Sequence, residues 1–175
     1  MTLHIRRATI DDAEAISTLV HSVAHYFTVH ADGRGAEEFF KSITPDAVRS
    51  YLASDQYVYW VGCLEQQQGQ MPALAPTLAT APDHIIAAIA LRDNSHLYHL
   101  FVTSDQQSKG YAKQLWEELQ LHATQRGNPG NFTVNASLFA EKMYRKWGFT
   151  PTTEVQEMHG LRFIPMQKNI TSNAT

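Results

Sequence analysis

The residues best suited to chemistry lie where an apolar segment runs into a glycine-containing turn and then into an amphipathic pattern. Residues 97–102 are typical of a strand, and helical periodicity begins at Gly110. The first N–H groups of a helix lack partners and carry partial positive charge, so such a turn suits a phosphate or pyrophosphate. Gly110 permits close approach of the backbone, and Ala112 keeps the next turn small. The pattern favours an anion site no more strongly than a plain loop.

The sequence contains two pairs of closely spaced histidines that could also take part in chemistry. His21 and His25 are four residues apart on one face of a predicted helix, a spacing compatible with a metal ion. No third ligand is evident, so pocket lining or plain surface is favoured for them. His96 and His99 are three residues apart on a predicted strand, where alternation is expected to point them to opposite faces. We expect both to be structural.

The surrounding pattern alternates strands with helices. Thr9 and Asp12 form a capping-box pattern before an apolar stripe that reaches Phe27, and Thr44 precedes Pro45 at a second helix start. Strands are predicted at residues 3–8, 57–64, 85–91, 97–102, 132–136, 152–158 and 161–168. Further helices are predicted at residues 37–41, 44–53, 110–127 and 139–147.

One segment, residues 66–82, lacks both helical and strand periodicity. It is rich in glutamine, alanine, proline and glycine, which predicts a mobile loop between two strands that pair antiparallel. A domain linker is the alternative, but the flanking strands need each other for a common sheet. The expected organisation is one domain over residues 1–170 with a tail at 171–175.

Composition excludes several classes of function. The net charge is only -3, without a cluster of basic residues interleaved with aromatics, so nucleic acid is not an expected partner. No apolar run approaches the roughly 20 residues of a membrane helix, and the N-terminus does not resemble a signal peptide. The single cysteine, Cys63, lies in an apolar strand, where core packing is favoured over a reactive thiol. These features predict a cytoplasmic protein without a membrane partner.

Two motifs resemble one family. Residues 107–112, with the sequence QSKGYA, resemble the Q/R-x-x-G-x-G/A signature of GNAT acetyltransferases, with alanine in place of the commoner second glycine. Residues 134–137 and 144–149, with the sequences VNAS and YRKWGF, resemble the later strand and the aromatic helix end of the same family. The resemblance covers nearly the entire chain. It implies a mixed α/β fold whose mostly antiparallel central sheet is flanked by helices and splayed between its two central strands.

The resemblance also implies acetyl-CoA as the cosubstrate. Its pantetheine arm is expected along the end of the central strand, near an oxyanion-stabilising N–H at Val102, and its pyrophosphate at the turn. The residues implied for cofactor binding are Phe101, Val102, Gln107, Ser108, Lys109, Gly110, Tyr111, Ala112 and Asn135. Lys109 is equally compatible with plain solvent exposure, and Asn135 with a strand end. No metal is expected.

The catalytic residue implied by the resemblance is Tyr144, as proton donor to the departing thiolate, with core packing as the alternative. Ser137 is better suited to cap the following helix than to catalyse. Glu154 and Glu157 are candidates for a general base, although the family often uses water. The acceptor pocket is implied to lie between residues 26–40 and 152–162.

The resulting expectation is an N-acetyltransferase that transfers an acetyl group to a primary amine of a small molecule or peptide. The main alternative is a non-catalytic acyl-CoA-binding or regulatory module with the same fold. A flavin or nucleotide binder that uses the same glycine turn is a third possibility. The acceptor is not identified by these residues, and the oligomeric state, including a homodimer, is open.

Overall fold

The computed structural model describes residues 2–64 and 84–169. The expected loop at 66–82 and the tail at 171–175 lie outside the described residues. The strands are β1 (Leu3–Arg7), β2 (Tyr57–Leu64), β3 (His84–Arg92), β4 (His96–Val102), β5 (Phe132–Ser137), β6 (Thr150–Pro151), β7 (Gln156–Met158) and β8 (Leu161–Lys168). The α-helices are α1 (Ala13–Val23), α2 (Glu37–Ser42), α3 (Pro45–Leu52), α4 (Tyr111–Gln125) and α5 (Glu141–Lys146).

The first helix begins as its sequence predicts. Thr9 and Asp12 form a capping box ahead of a short 3₁₀ turn and α1. The Asp12 carboxylate also accepts two hydrogen bonds from the Arg6 guanidinium, at 2.8 and 2.9 Å, which joins the start of the helix to β1. Thr44 likewise accepts a hydrogen bond from Ala47 N at the start of α3.

The strands form one sheet in the order β1-β2-β3-β4-β5-β8-β6, and β7 pairs with β8. Every pairing is antiparallel except that of β4 with β5. The predicted antiparallel pairing of β2 with β3 is confirmed. The mixed, mostly antiparallel sheet implied by the family resemblance is therefore confirmed, and its parallel pairing joins β4 to β5 in the middle of the sheet.

Two apolar cores cover the two faces of this sheet. Helices α1 and α3 pack on one face around Ile16 and Ile43, which are fully buried. Helices α4 and α5 pack on the other, where Leu115 and Phe149 are enclosed. Burial of an apolar side chain contributes about 1.5–3 kcal/mol, so these cores hold β4 and the start of α4 in fixed relation. Within the described ranges no helix is long and apolar enough to cross a bilayer.

Two predicted boundaries near the C-terminus are wrong. Helix α5 begins at Glu141 instead of residue 139, because a turn closed by the Ala140 N–H to Ser137 hydrogen bonds precedes it. The strand predicted at residues 152–158 is shorter than expected, since β6 ends at Pro151, before this range, and β7 begins only at Gln156.

Candidate functional site

Strands β4 and β5 pair at only two positions before they separate. Their parallel register joins His96 to Thr133 and Leu97 to Val134, although both strands continue further. Two cavities meet at the resulting gap. The lining residues common to both cavities are Phe27, Leu100, Phe101, Ser137 and Ala140.

The first cavity has a volume of about 500 Å³. Its walls are the end of β4, the turn after it, the start of α4 and one side of α5. The residues implied for cofactor binding that line it are Phe101, Val102, Gln107, Ser108, Gly110, Tyr111 and Ala112. Lys109 and Asn135 do not line it. Lys109 is exposed and donates a hydrogen bond to the Gln106 side chain at 2.8 Å.

The turn before α4 presents a run of unpaired amides to this cavity. Ser108 and Gly110 both have left-handed backbones, with φ of 62° and 82°, a conformation from which concave amide nests are built. No backbone N–H from residue 107 to residue 113 donates a hydrogen bond within the described part of the chain. A Cβ built on Gly110 would meet no atom within 4 Å. The space beside Gly110 is therefore open to an anion.

A further backbone amide without a partner among the described residues lies at the end of β4. Thr103 N donates to Ile86 O at 2.9 Å. Hydrogen-bonded and non-hydrogen-bonded pairs alternate along an antiparallel ladder, so the neighbouring pair of Val102 with Ala87 is a non-hydrogen-bonded one. The Val102 N–H consequently points away from β3 and into the gap left by β5. The Val102 carbonyl points the same way and accepts a hydrogen bond from Gln107 Nε2 at 3.1 Å. The Gln107 side chain thus fixes the strand end relative to the turn.

The first cavity is positively charged. Lys113, Lys142 and Lys146 line it, and no aspartate or glutamate does so among the described residues. Lys113 forms an ion pair with Glu117 at 3.4 Å, whereas Lys142 and Lys146 have no ion pair in the described ranges. Our sequence reasoning missed these two lysines, which are four residues apart on one face of α5. Basic side chains here favour a ligand that carries several negative charges.

The second cavity has a volume of about 440 Å³. It lies between α2, the far side of β4 and the β7–β8 hairpin. The hairpin is tied to the segment after α1, since Val29 N donates to Gly160 O at 2.8 Å and Arg162 N donates to Phe27 O at 3.0 Å. Segments 26–40 and 152–162, implied for the acceptor pocket, are therefore joined around this cavity. Glu38 is the only carboxylate of the described residues that lines it.

A comparison with models of protein families shows which family the chain belongs to. A model described as an acetyltransferase (GNAT) domain matches residues 63–170, which is more than half of the chain. This protein is a member of the GNAT acetyltransferase family. Among curated proteins, no sequence matches this chain.

Solved structures of GNAT proteins have the same fold. A GCN5-related N-acetyltransferase from Rhodopseudomonas palustris is 19% identical with a TM-score of 0.70, over 97% of each chain. The PaiA N-acetyltransferase of Thermoplasma acidophilum, solved with coenzyme A, is 17% identical with a TM-score of 0.67, over 96% of this chain and 99% of that one. An aminoglycoside 6'-N-acetyltransferase complexed with coenzyme A is 12% identical with a TM-score of 0.61, over 94% and 96%. These likenesses establish the GNAT fold.

Tyr144, the catalytic residue implied by the GNAT resemblance, lines the second cavity and is almost fully buried. Its ring contacts Trp147 and Phe149 edge-on, with centroids 5.5 and 5.4 Å away. Burial raises the pKa of the Tyr144 hydroxyl, which therefore stays protonated. The hydroxyl makes no hydrogen bond to another described residue, which leaves its proton available to a ligand. Asn135 also lines the second cavity, where its side chain is exposed.

The expectation that His96 and His99 point to opposite faces is wrong. Register between β3 and β4 shifts by one residue: Leu97 pairs with Leu91, but His99 pairs with Ala90, so Tyr98 is an extra residue. Such a β-bulge reverses the alternation beyond it. Both histidines consequently line the second cavity.

Other groups raised by the sequence lie outside the two cavities. His21 stacks on Phe40, and His25 lies against Tyr26. Neither Glu154 nor Glu157 lines a cavity, and Glu157 forms an ion pair with Arg162 at 2.6 Å. No cluster of three potential metal ligands occurs among the residues with described positions. Cys63 is buried in the core, as predicted.

Proposed function

We propose that this GNAT protein is an acetyl-CoA-dependent N-acetyltransferase that acetylates a primary amine of a small molecule or peptide. The observation that carries the proposal is the junction of two cavities at the gap between β4 and β5. One cavity has free amides and cationic side chains suited to a diphosphate, and the other has the buried Tyr144 hydroxyl. Donor and acceptor can therefore enter separately and meet at Phe101, which lines both.

The first cavity has the features needed to hold coenzyme A. Its pyrophosphate would accept hydrogen bonds from the amides of the turn around Gly110, each worth about 1.5–3 kcal/mol because the acceptor is charged. Lys142 and Lys146 would neutralise the remaining phosphate charge. The Leu100–Val102 edge, which β5 does not cover, leaves main-chain groups for the amide-containing pantetheine arm.

When bound, acetyl-CoA supplies the thioester carbonyl that the amine attacks and the thiolate that leaves. In the proposed mechanism the Val102 N–H donates a hydrogen bond to the carbonyl oxygen as negative charge develops there. Tyr144 donates its hydroxyl proton to the thiolate sulfur as the C–S bond breaks, and the tyrosinate then regains a proton from the water that took the amine proton. The amine must be neutral to attack. Water is proposed to take its proton, because Glu38, the only carboxylate of the described residues that lines the second cavity, already accepts a hydrogen bond from Lys41 at 2.7 Å.

The direct test measures thiol release from acetyl-CoA over a panel of amines. We expect turnover with at least one amine, and in Tyr144→Phe a fall of about a hundredfold in kcat with unchanged coenzyme A affinity. Coenzyme A binding without turnover on any amine would instead support the non-catalytic acyl-CoA-binding module. Thermal stabilisation by nucleotides but not by coenzyme A would support a nucleotide binder.

The cellular setting of the reaction stays a prediction. A buried single cysteine is compatible with the reducing cytoplasm. A homodimer also stays a prediction, which sedimentation of the purified protein would test.

A further inference from the structure

His99 has a contact that determines where its ring carries a proton. The side chain is 6% exposed, lines the second cavity, and lies with Nδ1 3.0 Å from the Tyr59 hydroxyl. Tyr59 is only 1% exposed, and within the described residues this is the one hydrogen bond of its hydroxyl. The direction of that bond decides the tautomer of His99.

Among the described residues, the hydroxyl hydrogen of Tyr59 has no acceptor other than His99. If Nδ1 carried a proton and donated it to Tyr59, the hydroxyl hydrogen would be buried without a partner, at a cost of about 1–3 kcal/mol. Burial also raises the pKa of Tyr59, so the hydroxyl keeps this hydrogen. Tyr59 therefore donates to Nδ1, and the neutral ring of His99 has its hydrogen on Nε2.

The surroundings of His99 keep the ring neutral. Tyr98 stacks on it with centroids 4.3 Å apart, and Phe101 lies 5.1 Å away. No carboxylate of a described residue forms a hydrogen bond with the ring, and burial lowers the pKa of His99 to about 3. A ring whose Nδ1 lone pair is occupied by Tyr59 and whose Nε2 is protonated cannot take a proton from an amine. His99 is therefore no general base.

The Nε2–H of His99 remains available to a ligand. His99 lines the second cavity, and among the described residues its Nε2 has no hydrogen-bond partner. An imidazole N–H held in place by Tyr59 and two aromatic rings is a fixed, uncharged donor.

We propose that His99 is a specificity-determining residue that donates its Nε2 hydrogen to an oxygen of the acceptor substrate. The substrate class is then an amine that also carries a hydroxyl, carbonyl or carboxylate oxygen. This proposal depends on the proposed function, because it assigns the second cavity to the acceptor. A site that offers a buried donor discriminates against an analogue lacking the oxygen, since the donor is then left unpaired.

The tautomer is tested by nitrogen-15 NMR on the histidine rings of the full-length protein. We expect His99 to have an unprotonated Nδ1 and a protonated Nε2, with no titration between pH 5 and 8. In Tyr59→Phe the Nδ1 signal should change, because its donor is removed. A wild-type ring protonated at Nδ1, or one that titrates near pH 6.5, would overturn the proposal whether or not the protein is an enzyme.

The specificity is tested with matched pairs of amines that differ only by one oxygen-bearing group. In His99→Phe we expect KM for the oxygen-bearing amine to rise on the order of tenfold, with kcat and the KM of its oxygen-free partner little changed. His99→Gln, which restores an N–H donor, should recover part of the loss. Wild-type turnover that does not distinguish the paired amines would refute this inference alone, whereas absence of turnover on every amine would refute the proposed function as well.

Discussion

Replacement of Gly110 by alanine separates the cost of strain from the loss of a binding site. Gly110 has φ +82°, and a Cβ there meets no atom within 4 Å, so the free protein has room for the methyl group. The left-handed backbone alone should cost about 1–2 kcal/mol for alanine. For a chain of this size, each kcal/mol of lost stability lowers Tm by about 2–4 °C.

The same methyl group would occupy the open space beside the amides of the turn. Loss of one charge-assisted hydrogen bond of about 1.5–3 kcal/mol corresponds to at least a tenfold weaker Kd for coenzyme A, measured by titration calorimetry. Gly127→Ala is the matched control: Gly127 has φ +88° and an equally open Cβ position, but follows the far end of α4. A rise of 1.5 Å per residue over 15 residues puts it about 22 Å from the turn.

Both variants should therefore lose similar stability, and only Gly110→Ala should lose affinity. Equal coenzyme A affinity in the two folded variants would refute the assignment of the turn as the anion site.

Two further predictions follow from charge. Replacing both Lys142 and Lys146 by glutamine should weaken coenzyme A binding about tenfold at low ionic strength and less in high salt, as measured by titration calorimetry. The control is Arg145→Gln, which should have little effect in the same titration because Arg145, on the same helix, is paired with Glu141. Hydrogen bonds from Arg6 lower the pKa of Asp12 below its ordinary value, so this carboxylate stabilises the fold above about pH 4 and the stabilisation is lost as pH falls through the folded-state pKa. Urea unfolding of Asp12→Asn should show a loss of about 2 kcal/mol at pH 7 that shrinks below pH 4, and a loss independent of pH would contradict this account.

Much of the fold could be predicted because its signals are local. The capping box of Thr9 with Asp12, the cap at Thr44 and the helix start at Gly110 each depend on contacts within a few residues, and the structure has all three. The turn that lines the first cavity was identified for the same reason. The absence of partners for its amides among the described residues follows from where a helix begins.

The errors and omissions concern contacts between distant segments. The bulge at Tyr98 arises from the register of β4 against β3, which no pattern within β4 reveals, and it reverses the predicted direction of His99. The bond between His99 and Tyr59 joins residues 40 positions apart. Lys142 and Lys146 could have been noticed from their spacing, but only the packing of α5 beside the turn gives that spacing a meaning.

The central claim is that unpaired amides before α4 hold the diphosphate of the acetyl donor. Crystals of the protein grown with coenzyme A test it most directly. The account predicts both phosphates within hydrogen-bond distance of backbone nitrogens between residues 107 and 113, with the pantetheine arm beside Val102. Coenzyme A bound at another surface while this turn is free of phosphate would contradict it.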